Sequence, residues 1–286
     1  MADKLRDKLN QKSKQNKFPD NTSYRSISKK SIVQLAKEFL IKGKKVEVSA
    51  LKNNIIPERY SRNMQTLSIQ DQLLFLNSTV CIVGLGGLGG VVASNLARLG
   101  IGSLILVDGD SFEESNLNRQ VFCNENLIGN PKAEAAETQI KNINSSIKIQ
   151  TWPAYLDEKN AGKIIHKADL VVDCLDNIET RFILETAAKQ NKIPFISAAI
   201  GGENGHITTI FPKDKGLELI YGPRQFLSEK KGAETRLGVL PHAVTLIACL
   251  ECAEVKKILL KKQPLLRNKI MLVDLANNLF DLLDLA

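Results

Sequence analysis

The sequence predicts an α/β fold: a mostly parallel sheet with helices on both faces, preceded by a small N-terminal helical extension. Three observations carry this. From about Arg59 onward, short apolar runs alternate with stretches of helical spacing, the pattern of strand–helix–strand units with right-handed crossovers. Runs such as Thr79–Val83 and Leu170–Asp173 are apolar almost throughout, as strands covered on both faces are. Between Ser31 and Leu51 the apolar spacing is helical only.

The elements follow in order. Met1 to about Tyr24 is rich in Lys, Asn, Gln and Ser and poor in large apolar residues, so residues 1–24 are expected to form a basic disordered tail. Ser31–Leu40 sets Ile32, Val33, Leu35, Ala36, Phe39 and Leu40 at helical spacing, and Val46–Leu51 repeats the pattern briefly. Residues 25–56 therefore read as a small helical extension. Its two helices resemble a DNA-binding turn, although a packing or dimer-stabilising role is the plainer reading. In the body, residues 57–286, Thr79–Val83 reads as a strand, Leu88–Leu99 as a helix and Ser103–Val107 as the next strand. Lys132–Ile143 is helical behind Pro131, a good first-turn residue. Ile147–Thr151, Leu170–Asp173, Pro194–Ala199 and His206–Phe211 read as strands, Val239–Leu260 as a long helix and Ile270–Asp274 as a closing strand. The stretch 213–238 is charged, glycine-containing and long for a connection, and is expected to be a mobile lid.

Charge and cysteine usage exclude some classes. The formal net charge of +8 divides into +9 over residues 1–60 and −1 over residues 61–286. The body is near neutral, so nucleic acid is not expected as a partner. Five cysteines form no framework spacing, and Cys81 and Cys174 lie in apolar runs, which fits a reducing cytoplasm. Val80–Ala97 has no charged residue and approaches membrane-span length, but it holds five glycines and divides into strand, turn and helix. No membrane association is expected.

Gly84-Leu85-Gly86-Gly87-Leu88-Gly89 follows a predicted strand and opens a predicted helix, the context a Rossmann-like nucleotide turn requires. Its glycines permit a tight turn and let backbone approach phosphates at a helix N-terminus. Asp108 ends the next strand, 19 residues after Gly89, where an acid reaches a ribose. These features alone do not distinguish NAD or FAD from ATP. Further along come Val107-Asp108-Gly109-Asp110, Ser115-Asn116-Leu117-Asn118-Arg119-Gln120, Gly129-Asn130-Pro131-Lys132 and Asp173-Cys174-Leu175-Asp176-Asn177. An Arg, a Lys and an Asp at the ends of successive strands suit a triphosphate with Mg²⁺ better than a hydride-transfer site.

In combination these motifs resemble the ThiF/MoeB/HesA family, prokaryotic relatives of the ubiquitin-activating enzymes, from about Arg59 to the C-terminus. The resemblance implies an adenylyltransferase that uses ATP and Mg²⁺ to adenylate the C-terminal Gly-Gly carboxylate of a ubiquitin-like sulfur-carrier protein. It implies that Gly84, Gly86, Gly87 and Gly89 form the phosphate turn and that Asp108 binds the ribose with Asp110 beside it. Asn116, Arg119 and Gln120 would contact the phosphates, Lys132 would hold the α- or β-phosphate region, and Asp176 would bind Mg²⁺. Arg59-Tyr60-Ser61-Arg62 resembles the segment that opens these domains, and its Arg62 would reach the γ-phosphate of the other subunit in a homodimer.

The chain departs from the family in its cysteines. Many relatives bind zinc with two Cys-x-x-Cys pairs. Here Cys249 and Cys252 form the one such spacing, inside a predicted helix, and four ligands are the norm for structural zinc, so no zinc site is expected. No cysteine lies between Leu175 and Ala248, so no covalent step through the lid is expected. Rival readings are an NAD- or FAD-dependent oxidoreductase, a non-catalytic scaffold of the same family, and adenylation of another acceptor such as a peptide or a modified tRNA base.

Overall fold

The computed structural model describes residues 1–227 and 234–285. The N-terminal unit comprises α1 (Ala2–Lys12), β1 (Lys14–Lys17), β2 (Ser23–Ile27), α2 (Lys29–Glu38), α3 (Gly43–Lys52) and β3 (Ile55–Pro57). Its strands pair as a small sheet in the order β1-β2-β3. This corrects two expectations. Residues 1–24 are ordered elements instead of a disordered tail, and the extension is a mixed α/β unit instead of two helices. The physical reason is economy of apolar residues. Leu5 and Leu9, one helical turn apart, are both buried and join Ile27, Ile32, Leu35, Val46, Ala50 and Ile55 in a separate small core. Phe18 and Tyr24 stack at 4.1 Å between ring centres.

The second helix of the pair packs against the body. α3 buries Val46, Glu47, Ala50 and Leu51. It turns toward the body, where Lys44 Nζ donates to the Gly102 carbonyl at 3.2 Å and Ser146 Oγ donates to Glu47 at 2.8 Å.

The body begins with a 3₁₀ turn at Glu58–Asn63 and then α4 (Ile69–Asn77), whose N-terminus is closed by a Ser68/Asp71 capping box. There follow β4 (Thr79–Val83), α5 (Gly87–Leu99), β5 (Ser103–Val107), α6 (Lys132–Ile143), β6 (Lys148–Trp152), α7 (Ala161–Ile165), β7 (Leu170–Asp173) and α8 (Ile178–Gln190). β8 (Phe195–Gly201), β9 (Asn204–Ile210), α9 (Glu218–Tyr221), α10 (Glu234–Leu237), α11 (Pro241–Leu259), β10 (Lys269–Asp274) and β11 (Leu279–Asp284) complete it. Among the described residues eight strands form one sheet in the order β11-β10-β9-β8-β7-β4-β5-β6. The run from β6 through β5, β4 and β7 to β8 is parallel, and β9, β10 and β11 are added antiparallel.

Alternate residues of each central strand feed two cores, as a strand period of two demands. Val80 and Ile82 pack with α5, α6 and α11. Cys81 and Val83 pack with α7 and α8 on the other face. Burial pushes the Cys81 thiol far above its ordinary range, so it packs as a small hydrophobe. Strand order reverses at β4, which lies between β5 and β7. That reversal opens a crevice at the carboxyl ends of β4 and β7, where open α/β sheets bind ligands.

The 213–238 stretch expected to form a lid includes residues 228–233, which lie outside the described residues. Its described parts hold α9, a 3₁₀ turn at Arg224–Phe226 and α10.

Candidate active site

The crevice has a volume of about 870 Å³. Its floor is the glycine turn between β4 and α5. Gly84 has φ +88°, and a Cβ there would lie 2.5 Å from the Cys174 carbonyl oxygen, so only glycine fits this turn. Gly84, Gly86 and Gly87 line the crevice. Gly89, expected to line the phosphates with them, does not. A Cβ on Gly89 would lie 1.8 Å from the Gly84 carbonyl oxygen, so it serves close packing of helix on turn.

Asp108 fastens this floor to β5. Its carboxylate accepts the Leu85 N–H at 2.7 Å and the Asp110 N–H at 2.8 Å. Burial pushes the Asp108 carboxyl above its ordinary range, against those hydrogen bonds and the nearby Lys132 charge. Lys132 is the first residue of α6, brought to the crevice because the chain before it pairs with the Asp110–Phe112 segment. The Lys132 ammonium lies 2.9 Å from Asp110 Oδ2, and the Tyr155 hydroxyl donates to Asp110 Oδ1 at 2.7 Å. Against the upward push of burial, Tyr155 and Lys132 together hold the Asp110 carboxyl below its ordinary range.

The Ser115–Gln120 segment forms the facing wall. Asn116 is buried and accepts the Glu113 N–H. Arg119 is pinned by the Ser115 carbonyl at 2.9 Å and the Asn118 side-chain oxygen at 3.0 Å. Gln120 is 6 % exposed, and its Oε1 is buried with no hydrogen-bond partner among the described residues. A buried acceptor left unpaired is costly, so a ligand hydroxyl or amino group donating to Gln120 Oε1 would satisfy it. Gln120 Nε2 lies 3.4 Å from where a Gly86 Cβ would be, so the amide faces the bare backbone of the turn. Arg119, Lys132, the turn's N–H groups and the Gln120 amide thus fit a polyphosphate with its sugar.

Asp176 is exposed on the crevice wall in the loop after β7. That loop is fixed from beneath by Arg181, which bonds Asp173 at 2.9 Å, the Ala198 carbonyl at 2.5 Å and the Leu175 carbonyl. Mg²⁺ takes one or two carboxylates with substrate phosphates and water completing its shell, and a single carboxylate placed like Asp176 fits that habit.

Besides Gly89, Arg62 is the candidate the chain does not bring to its own crevice. It sits exposed on the 3₁₀ turn before α4 and is not among the lining residues. Cys249 is exposed on α11 near Asn95, while the Cys252 thiol faces the Val92 carbonyl. No helix among the described residues is long and apolar enough to cross a membrane. Among the lining residues that the motifs do not name, Tyr155 reaches a candidate side chain, Asp110. Tyr155 belongs to no motif, and only the loop after β6 carries it to the crevice.

A sheet with its strand order reversed at β4, a glycine turn beneath and cationic side chains above defines a nucleotide-binding α/β protein. Residues 60–286 match the model of the ThiF family, and the chain belongs to that family. It is 32% identical over 228 residues to the SAMP-activating enzyme E1 of Haloferax volcanii, covering 78% of this chain and 83% of that one. It is 32% identical over 218 residues to the molybdopterin-synthase adenylyltransferase of Haemophilus influenzae, covering 76% and 89%. The expectation of an adenylyltransferase is met. The fold is also that of E. coli MccB solved with ATP, with a TM-score of 0.69 at 24% identity over 89% of this chain and 82% of that one.

Proposed function

We propose that the protein uses ATP and Mg²⁺ to adenylate the C-terminal Gly-Gly carboxylate of a ubiquitin-like sulfur-carrier protein. One observation carries this: Arg119, Lys132 and Asp176, from three separate segments, line the same crevice as the glycine turn and Asp108. The names of the relatives, a SAMP-activating enzyme and a molybdopterin-synthase adenylyltransferase, support a carrier protein as the acceptor.

A carboxylate oxygen attacks the α-phosphorus of ATP, the bond to the bridging oxygen breaks, and pyrophosphate leaves with that electron pair. The attacking carboxylate is already ionised at neutral pH, so no general base is needed. The chain's contribution is placement and charge neutralisation. Asp108 holds the ribose, and the N–H groups of the Gly84–Gly87 turn meet the phosphates. Lys132 and Arg119 offset the charge that moves onto the leaving group. Asp176 is the residue that would hold a Mg²⁺, and a bound Mg²⁺ would supply charge neutralisation for the leaving pyrophosphate.

Arg62 is exposed and lies outside the lining of its own crevice, which supports a homodimer in which each subunit lends Arg62 to the other's γ-phosphate. The cysteine usage supports a cytoplasmic setting. Incubation with ATP·Mg²⁺, labelled pyrophosphate and a Gly-Gly-tailed carrier is expected to return label to ATP. No exchange at saturating ATP with several such carriers would reject the proposal. Mixing Arg62→Ala with Lys132→Ala subunits is expected to restore activity that neither shows alone.

A second acceptor is favoured by one observation. The MccB structure aligns with 89% of this chain, more than residues 60–286 contain, so the likeness reaches into the N-terminal unit. MccB has also been solved in complex with N-formylated MccA. The alternative acceptor is therefore the terminal carboxylate of a partner that the N-terminal unit helps hold. Removing residues 1–56 would abolish exchange for such a partner and spare it for a free carrier.

A further inference from the structure

Tyr155 is 71 % exposed, yet its place is built. Its ring lies on Gly109: a Cβ there would come 2.8 Å from the Tyr155 ring and 2.7 Å from the Tyr155 backbone nitrogen, so any other residue would displace it. The next residue, Leu156, is buried in the core on the α7 face. The Tyr155 carbonyl accepts from Asn160 Nδ2 at 2.9 Å, and Asn160 is in turn held by Asp157. A loop anchored on both sides therefore delivers one phenol to Asp110 Oδ1 at 2.7 Å, while Asp110 Oδ2 takes Lys132 at 2.9 Å. Glu158 in the same loop meets Arg224 at 2.9 Å, which ties the loop to the 3₁₀ turn at Arg224–Phe226 as well.

We propose that Tyr155 is a positioning residue for the nucleotide: its hydroxyl fixes the Asp110 carboxylate, and Asp110 in turn aims the Lys132 ammonium at the phosphates. This rests on the reading that Lys132 contacts the triphosphate. Lys132 has four rotatable bonds and, among the described residues, Asp110 as its one ion-pair partner. A carboxylate held at one oxygen presents the other in a single direction, so the lysine meets an incoming phosphate already oriented. Without the phenol, Asp110 is free to turn and to follow the ammonium away from the crevice.

The test needs ATP·Mg²⁺ alone, titrated by calorimetry into the full chain. Trp152, the single tryptophan, lies three residues before Tyr155 and accepts the Asp108 N–H at its carbonyl, so its fluorescence is a second readout. Tyr155→Phe keeps the ring on Gly109 and is expected to leave the melting temperature unchanged. It is expected to weaken ATP·Mg²⁺ binding about tenfold, the scale of one hydrogen bond to a charged group. In an Asp110→Ala background the same change is expected to do nothing more, since Tyr155 acts through Asp110. Unchanged affinity in Tyr155→Phe, or an equal loss in both backgrounds, overturns the proposal. The two readings separate at Lys132→Ala. If that variant binds ATP as tightly as the native chain, the phosphate role of Lys132 fails and this proposal with it. If it binds weakly while Tyr155→Phe binds normally, only this proposal fails.

Discussion

Arg181 on α8 donates to Asp173 at the end of β7 across 2.9 Å, and both side chains are buried. Ser197 Oγ adds a bond to the same carboxylate at 2.7 Å. The guanidinium also donates to the Ala198 and Leu175 carbonyls. One side chain thus joins β7, β8 and the loop that presents Asp176. Arg181→Ala strands a buried carboxylate, and the expected loss is about 3–5 kcal/mol of unfolding free energy. Arg181→Lys keeps the charge but lacks the planar fork and is expected to lie between. Urea denaturation measures both, and a loss below about 1 kcal/mol in Arg181→Ala would mean that the clamp is not structural.

Asp176 sits above that clamp and is exposed. Asp176→Asn is therefore expected to move stability by no more than about 0.5 kcal/mol. Its effect falls on metal and phosphate, with pyrophosphate exchange dropping about a hundredfold or more at fixed Mg²⁺. Full exchange in a correctly folded Asp176→Asn protein would remove its metal role.

The sheet was legible because its central strands are short apolar runs with few polar interruptions, and the site because five motifs sit at the ends of those runs. The N-terminal unit was not legible. β1 is Lys-Gln-Asn-Lys, which carries no strand signal by itself and becomes a strand only by pairing with β2. The core of that unit draws on isolated residues such as Leu5 and Leu9, too sparse for a composition rule. β11 was missed because Leu-Phe-Asp-Leu-Leu-Asp does not alternate. It sits at the sheet edge with all six residues exposed, so no buried face imposed a period of two. A fingerprint names glycines without saying which face backbone and which face ligand, so the sequence does not separate Gly89, which packs on the Gly84 carbonyl, from the glycines that line the crevice. Tyr155 has no motif, since its contact with Asp110 joins loops 45 residues apart.

The small N-terminal core makes a separate prediction. Leu9 is fully buried, in a cluster distinct from those of the sheet. Leu9→Ala is expected to cost about 2–5 kcal/mol within that unit. Trypsin should then cut faster at Lys12 and Lys14, while ATP·Mg²⁺ affinity of the body stays unchanged. Equal protection of those sites in native and variant chains would mean that α1 does not depend on this contact.

His206 gives the pH dependence a sign. It lies on β9 with its Nε2 3.2 Å from the Tyr221 hydroxyl. Burial, helped by the Arg181 charge, lowers its pKa from 6.5 to about 4. The native imidazole is therefore neutral across the range where the unfolded chain already takes up a proton. Its contribution is fully present above pH 6.5 and is lost as pH falls toward 4. The whole span is worth about 3 kcal/mol. His206→Gln keeps a hydrogen-bonding side chain but does not titrate. Between pH 7 and 4.5 the native chain is expected to lose about 2 kcal/mol more stability than this variant, because the carboxylates titrate alike in both and cancel in the difference. Parallel stability curves for the two chains, measured by urea denaturation at each pH, would show that His206 takes up its proton alike in the folded and unfolded chain.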